Sequence, residues 1–272
     1  MAFSLDPAAL AAGYRLEAHD TLGSTSTQAL ARVRDGAACP LWVVARRQTE
    51  GRGRRGSVWS SPEGNLAASL AWPVPAGLAP DQLATLGFVA GVSLERALRD
   101  VCAPARGPED AFRLKWPNDV LAGGAKLAGI LLEREALPQG AVVVVGFGVN
   151  VAAAPDGLPY PATSLAALGR PAEAEGLFRR LTATWAETLR AWDEGRGFPT
   201  IRSAWLATAA GLDGAVAVDA GSERLTGTFE TIDAGGRLVL RLADGSRRTV
   251  TAGAVHFGSA ATAAAAAGRA GA

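Results

Sequence analysis

Gly51-Arg52-Gly53-Arg54-Arg55-Gly56 places three arginines and three glycines in six positions, and Trp59-Ser60-Ser61-Pro62-Glu63-Gly64 follows close behind. Glycine frees the backbone for positive φ and for close approach by a ligand, while arginine supplies permanent charge on a forked donor. Such a loop is suited to an anion. A solvated turn or a non-specific nucleic-acid contact uses the same composition, so the segment alone leaves these readings open.

Other stretches carry chemistry of their own. Ser24-Thr25-Ser26 precedes a helical pattern. Its hydroxyls either cap the helix or, with the free amides and the helix dipole, hold a carboxylate or a small polar group. In Lys115-Trp116-Pro117-Asn118-Asp119 a basic residue ends a strand and an amide-carboxylate pair follows the proline. That pair either stabilises the turn or offers hard oxygens to magnesium carrying a nucleotide phosphate. Lys126 opens an otherwise apolar strand, where desolvation is costly unless an anion meets the ammonium. Asn150 follows an apolar run and needs a partner for its amide, either a ligand or a buried backbone group.

The elements that hold these residues follow from periodicity. Residues 41–47 and 65–72 read as strands, so the Arg-Gly loop is a connection carried on a sheet. Strands are also expected at 14–19, 112–116, 126–133 and 141–151, the last three joined by short turns and therefore antiparallel. Helices are expected at 28–35, at 82–101 with Asp81 as cap, at 172–193 and at 199–210. Residues 1–13 read as a poorly constrained arm with one helical turn at 7–12. Beyond Gly211, short strands at 215–220, 224–232, 237–242 and 247–251 alternate with turns such as Asp244-Gly245, which places a small β-barrel domain at 212–258. The alanine-rich 259–272 has no apolar periodicity and is expected to be a disordered tail.

Among 272 residues, 27 basic and 26 acidic side chains leave a net charge of +1, which argues against the broad basic surface of a nucleic-acid binder. No segment before the tail is apolar for long enough to span a membrane, and no secretory leader is evident. The two cysteines, Cys39 and Cys102, are far apart and lack metal-ligand spacing, so neither a disulfide framework nor a zinc site is expected. A cytoplasmic enzyme fits these features.

In their order and spacing, Ser24-Thr25-Ser26, the Arg-Gly loop with Trp59, Lys115 to Asp119, Lys126-Leu127-Ala128-Gly129-Ile130-Leu131-Leu132-Glu133 and Gly146-Phe147-Gly148-Val149-Asn150 resemble the biotin protein ligases over residues 14–258. The likeness is to the short bacterial type without an N-terminal DNA-binding domain. It implies an α+β fold: a mixed, largely antiparallel sheet flanked by helices over 14–211, of the kind shared with class II aminoacyl-tRNA synthetases, then an SH3-like barrel. It also implies ATP and Mg2+, biotin as substrate, and transfer of biotin through biotinyl-5′-AMP to a lysine of a biotin carboxyl carrier protein of acetyl-CoA carboxylase. The family suggests a homodimer.

The resemblance also implies roles. Ser24, Thr25, Ser26 and Gln48 would hold the ureido ring, and Arg52, Gly53 and Arg54 would close on the carboxylate and phosphate. Lys126 would contact the reacting oxygens, Asn118 and Asp119 would serve the nucleotide and its magnesium, and Trp59 and Asn150 would border the adenylate. Arg54, Lys126 and Asp119 form the expected catalytic set, with Asp119 taking the proton of the carrier lysine. Two positions depart from the pattern: Ser26 stands where the family usually has an amide, and Ser57 where it often has another arginine. A lipoate or octanoate ligase is the nearest rival, and the Arg-Gly loop with Lys-Trp-Pro-Asn-Asp favours biotin over it.

Overall fold

The computed structural model describes residues 2–102, 107, 111–138 and 140–257. Seven strands make the larger sheet: β1 (Arg15–Leu22), β2 (Leu41–Gln48), β3 (Leu66–Pro73), β4 (Arg113–Lys115), β5 (Asp119–Ala122), β6 (Ala125–Leu137) and β7 (Gly140–Val149). Their order is β1-β2-β3-β7-β6-β5-β4. The β1–β2 pair is parallel and the others antiparallel. The mixed, largely antiparallel sheet expected from the sequence is therefore present.

Strand β7 is central because it carries no charge across its length and can be buried on both faces. Its odd-numbered residues, Val143, Val145, Phe147 and Val149, join Trp42, Leu66 and Leu70 in the main core. Helices α1 (Pro7–Ala11), α3 (Pro80–Ala84), α4 (Leu86–Val101), α5 (Ala174–Trp192) and α6 (Phe198–Ala207) are bound into that core, while α2 (Thr25–Arg34) lies on the other face. Trp42 packs edge-on to Phe178 at 5.5 Å and to Trp185 at 6.3 Å, geometry that adds to simple area burial. Two neighbouring indole N–H groups have partners: Trp185 donates to Tyr14 Oη at 3.0 Å and Trp192 to Thr85 Oγ1 at 2.7 Å, while the buried Trp42 Nε1 has none among the described residues. Burial pushes the Tyr14 phenol up to about 12, although the Trp185 bond and Arg190 pull it the other way.

On the opposite face a smaller cluster of Ala29, Val33, Leu41, Val43, Ala71, Val142 and Val144 packs beneath α2. That cover ends partway along the strands. A second sheet of five antiparallel strands follows: β8 (Ala215–Ala220), β9 (Glu223–Ile232), β10 (Leu238–Arg241), β11 (Arg247–Val250) and β12 (Ala254–Phe257), in the order β11-β10-β9-β8-β12. It is tied to the first unit by Trp116 Nε1 donating to Gly236 O at 3.1 Å and by Arg202 donating to Thr231 Oγ1 at 2.8 Å.

Some local expectations change. The arm at 1–13 is not loose: Phe3 and Leu5 are buried, Phe3 meets Phe178 edge-on at 5.6 Å, and the Asp6 amide donates to Thr182 Oγ1. The helix expected at 82–101 is two, α3 and α4, and Asp81 lies in the first turn of α3 with Ala79 at the cap position. Between the strands expected at 112–116 and 126–133, residues 119–122 form a further strand, β5, antiparallel to both β4 and β6; its apolar stretch, Val120-Leu121-Ala122, is too short to show a period. The strand at 254–257 was likewise too short to show a period. The alanine-rich tail lies outside the described residues. No helix among those described is long and apolar enough to cross a membrane.

Candidate active site

The site lies where α2 stops covering the sheet. Past Val142 and Val144, the same face of β7 continues with Gly146 and Gly148, which leave a floor free of side chains. Ser69 pairs with Gly146 across β3–β7, and Gly129 pairs with Gly148 across β6–β7. The missing side chains are space that other groups use. A Cβ on Gly148 would stand 2.3 Å from Trp59 Nε1, and one on Gly146 would stand 3.0 Å from Ser26 Oγ.

The Arg-Gly loop roofs this floor. Gln48 bridges Ser61, Arg52 bridges Val58, and a 3₁₀ turn at Arg54–Gly56 makes the tip. The Trp59 amide donates to Gly51 O at 2.8 Å, and a Cβ on Gly51 would fall 2.3 Å from Trp59 O, so glycine is needed for the closure that lays the indole on the floor.

One wall is made of hydroxyls. Ser24 caps α2, its Oγ accepting from the Thr27 amide at 3.4 Å. Thr25 and Ser26 are buried, and each reaches the hydroxyl of Ser69, at 2.8 and 3.0 Å. Gln48 Oε1 accepts from the Thr25 amide at 2.7 Å and from Thr25 Oγ1 at 3.0 Å.

The other wall is charged. Lys126 Nζ lies 2.8 Å from Asp119 Oδ1, 5.6 Å from the Trp59 ring centroid and 5.4 Å from that of Tyr160. The anion that meets this lysine is thus inside the protein. The ion pair is off the angle of a hydrogen bond, and buried Asp119 Oδ1 has no hydrogen-bond partner among the described residues. Lys126 and Asp119 thus form a short, mostly buried ion pair in this wall. Arg54 Nη1 donates to Asn118 Oδ1 at 3.2 Å and to Gly253 O at 3.4 Å, and Arg52 Nη2 donates to Glu133 Oε2 at 3.3 Å. Burial pushes the Lys115 ammonium below its ordinary value; Asp119 opposes this and Lys126 adds to it.

Eleven of the twelve residues singled out by the sequence line a single cavity of about 240 Å³: Ser24, Thr25, Ser26, Gln48, Arg52, Gly53, Arg54, Trp59, Asn118, Asp119 and Lys126. Asn150 lines the adjoining hollow of about 190 Å³ with Trp59, Pro155, Leu158, Tyr160 and Ala162. Its Nδ2 donates to Thr163 O at 3.1 Å, while its buried Oδ1 has no partner among the described residues. Sequence reasoning missed Ser69, Gly129, Gly146, Gly148 and Tyr160 as parts of the site. Glycine at alternate positions of an apolar strand, 146 and 148, was the available signal.

No group of three or more His, Cys, Asp or Glu side chains that could hold a metal gathers among the described residues. Asn118 Oδ1 is turned to Arg54 and Asp119 Oδ1 to Lys126. Both side chains carry hard oxygens of the kind magnesium takes.

A hydroxyl wall, a glycine floor and a cationic roof on a mixed sheet make a cavity suited to a small ligand with a polar head and an anionic group. The model of the biotin/lipoate A/B protein ligase family matches residues 23–150, and that of the biotin protein ligase C-terminal domain matches 212–258. A biotin–[acetyl-CoA-carboxylase] ligase of Paracoccus denitrificans is 40% identical over 243 residues, covering 86% of this chain and 97% of the relative. One from Mycobacterium tuberculosis is 34% identical over 236 residues, covering 85% and 84%. The biotin protein ligase of Aquifex aeolicus, solved with biotin and ATP, superposes with a TM-score of 0.72 at 25% identity, covering 89% of this chain and 97% of that one. This chain belongs to the biotin protein ligase family.

Proposed function

We propose that this chain joins biotin to ATP as biotinyl-5′-AMP and passes the biotinyl group to a lysine of the carboxyl carrier protein of acetyl-CoA carboxylase, in the cytoplasm. The observation that carries this reading is one cavity with a hydroxyl wall beside Gly146 and a cationic wall beside Gly129 and Gly148. Gly146 and Gly148 lie two residues apart on one face of β7, about 7 Å, so the two walls sit side by side along one strand. The relatives named above act on biotin, and the Aquifex structure contains biotin and ATP.

In the first step a biotin carboxylate oxygen attacks the α-phosphorus and pyrophosphate leaves, so one anion must approach another. Arg52, Arg54 and Lys126 reduce that repulsion and stabilise the charge that builds on the phosphoryl oxygens. Asn118 and Asp119 would hold magnesium that arrives with the phosphates, and the ion would neutralise charge on them. Trp59 offers a face for the adenine, and the free Oδ1 of Asn150 can accept from an exocyclic amine. The roofed cavity keeps water from the mixed anhydride.

In the second step the carrier amine attacks the acyl carbon and AMP leaves. An ordinary lysine, with a pKa near 10.4, must first lose a proton. The Asp119 carboxylate is the acceptor we assign, with Lys126 at its Oδ1 to hold it in place. We assign both steps to residues 14–211, with 212–258 supplying the Gly253 carbonyl that meets Arg54. We further propose a homodimer through the open edge of β1.

Exchange of labelled pyrophosphate into ATP tests the first step, with biotin and lipoate in parallel. Exchange with biotin alone is expected. Exchange only with lipoate would move the chain to the sister activity, and none with either acid would overturn the proposal.

A further inference from the structure

Three buried hydroxyls run in a line from the cavity floor to Gln48. Ser26 Oγ is 3.0 Å from Ser69 Oγ, Ser69 Oγ is 2.8 Å from Thr25 Oγ1, and Thr25 Oγ1 is 3.0 Å from Gln48 Oε1. Each hydroxyl has a single proton to give. The Thr25 backbone N–H can only donate, and it lies 2.7 Å from the Gln48 atom, which identifies that atom as the amide oxygen. An amide oxygen can only accept, so Thr25 Oγ1 donates to it. Thr25 has then used its proton, and Ser69 donates to Thr25. Ser69 has used its own in turn, and Ser26 donates to Ser69. Only this direction satisfies all three contacts at once.

The far end of the chain is therefore an oxygen whose proton is already committed. We infer that Ser69 is a specificity-determining residue that makes Ser26 a hydrogen-bond acceptor, so that this end of the cavity selects a ring bearing N–H groups. Resting on the ligase reading above, that ring is the cyclic urea of biotin. The donors needed for the urea carbonyl come from the neighbours. Ser24 Oγ accepts from the Thr27 amide and keeps its own proton, and Gln48 keeps both protons on Nε2. One acceptor, Ser26, and two donors, Ser24 and Gln48, complement a group that carries both N–H and C=O.

The relay has a consequence that independent contacts lack. Removing Ser69 releases the Ser26 proton, which then points a donor at a ligand N–H. Removing Ser26 as well takes that misplaced donor away. Calorimetric titration of biotin into the intact protein and into Ser26→Ala, Ser69→Ala and the double variant reads this directly, with ATP affinity and melting temperature measured on each. Ser69→Ala should weaken biotin about tenfold or more, the loss expected when a polar group faces an unmatched one. The double variant should be no weaker than Ser69→Ala, with ATP affinity and melting temperature held. Ser69→Cys, which keeps the volume and weakens both roles, should fall between the intact protein and Ser69→Ala.

Losses that multiply in the double variant would overturn the relay, as would a Ser69→Ala or Ser69→Cys protein that binds biotin as the intact one does. Loss of biotin affinity in step with ATP affinity and melting temperature would mark Ser69 as merely structural and also overturn it. Failure of the intact protein to bind biotin would overturn the ligase reading itself along with the inference.

Discussion

The two faces of the larger sheet are made from alternate residues of the same strands, yet they hold opposite contents. Under α4 and α5, the face carries Trp42, Leu66, Leu70, Val145 and Phe147, interlocked with Phe178 and Trp185. On the other face, Ser69, Gly146 and Gly148 give way to a cavity roofed by a loop. Glycine inside a strand costs roughly 0.5–1 kcal/mol relative to alanine, and it leaves apolar contact unmade. The helix-covered face offsets that cost. A ligand site needs empty volume beside fixed polar groups, and here one face supplies rigidity so that the other can stay open.

Substitutions on each face sharpen the contrast. Trp185→Ala should have the largest effect on folding, a loss of about 3–5 kcal/mol in denaturant unfolding, because a fully buried indole leaves a cavity and strands the Tyr14 hydroxyl. Biotin affinity of the molecules that remain folded should hold. Gly148→Ala should do the reverse. Its methyl would occupy the place of the Trp59 indole, so ATP binding should weaken by about 1 kcal/mol, roughly fivefold, while unfolding free energy stays within about 1 kcal/mol of the unsubstituted protein. A Gly148→Ala protein as unstable as Trp185→Ala would break the distinction between the faces.

Glu95 of α4 gives the smallest and most specific effect. Burial raises its carboxyl above the ordinary 4.5, more than Arg99, with Nη1 3.7 Å from Oε1, and Arg96 lower it. The folded chain thus retains a proton that the unfolded chain releases. Stability should fall as pH rises from 4.5 through the raised value and level off above it. Glu95→Gln should flatten that fall and gain less than about 1 kcal/mol at neutral pH, measured by unfolding at several pH values. A profile that rises with pH over this range would contradict the assignment.

Much of this was legible in the chain. The loop at 51–56 announced itself by composition, and Lys126 by its position at the mouth of an apolar strand. The larger sheet followed from runs such as Val142 to Val145, and the hairpins of the C-terminal sheet from their Gly-bearing turns. What could not be read was which neighbours would meet. Lys126 was expected to await a ligand anion, and the structure pairs it with Asp119, seven residues earlier and brought near by the β5–β6 pairing. Ser69 gave no sign because a single serine within an otherwise apolar strand points to no particular partner, and its role depends on Thr25 and Ser26, more than forty positions away. The N-terminal arm gives no sign of its packing because Phe3 and Leu5 lack a period, and Phe3 is covered by residues far along the chain, Phe178 of α5 and Arg46 of β2.

The central claim is that the open face carries the chemistry, with Lys126 at its cationic wall. Mixing stoichiometric protein with biotin and ATP, quenching, and weighing the products by mass spectrometry tests it directly. The intact protein should yield biotinyl-5′-AMP within one turnover, and Lys126→Ala should form it at least about a hundredfold more slowly with an unchanged melting temperature. Equal rates of adenylate formation in the two proteins would contradict the account.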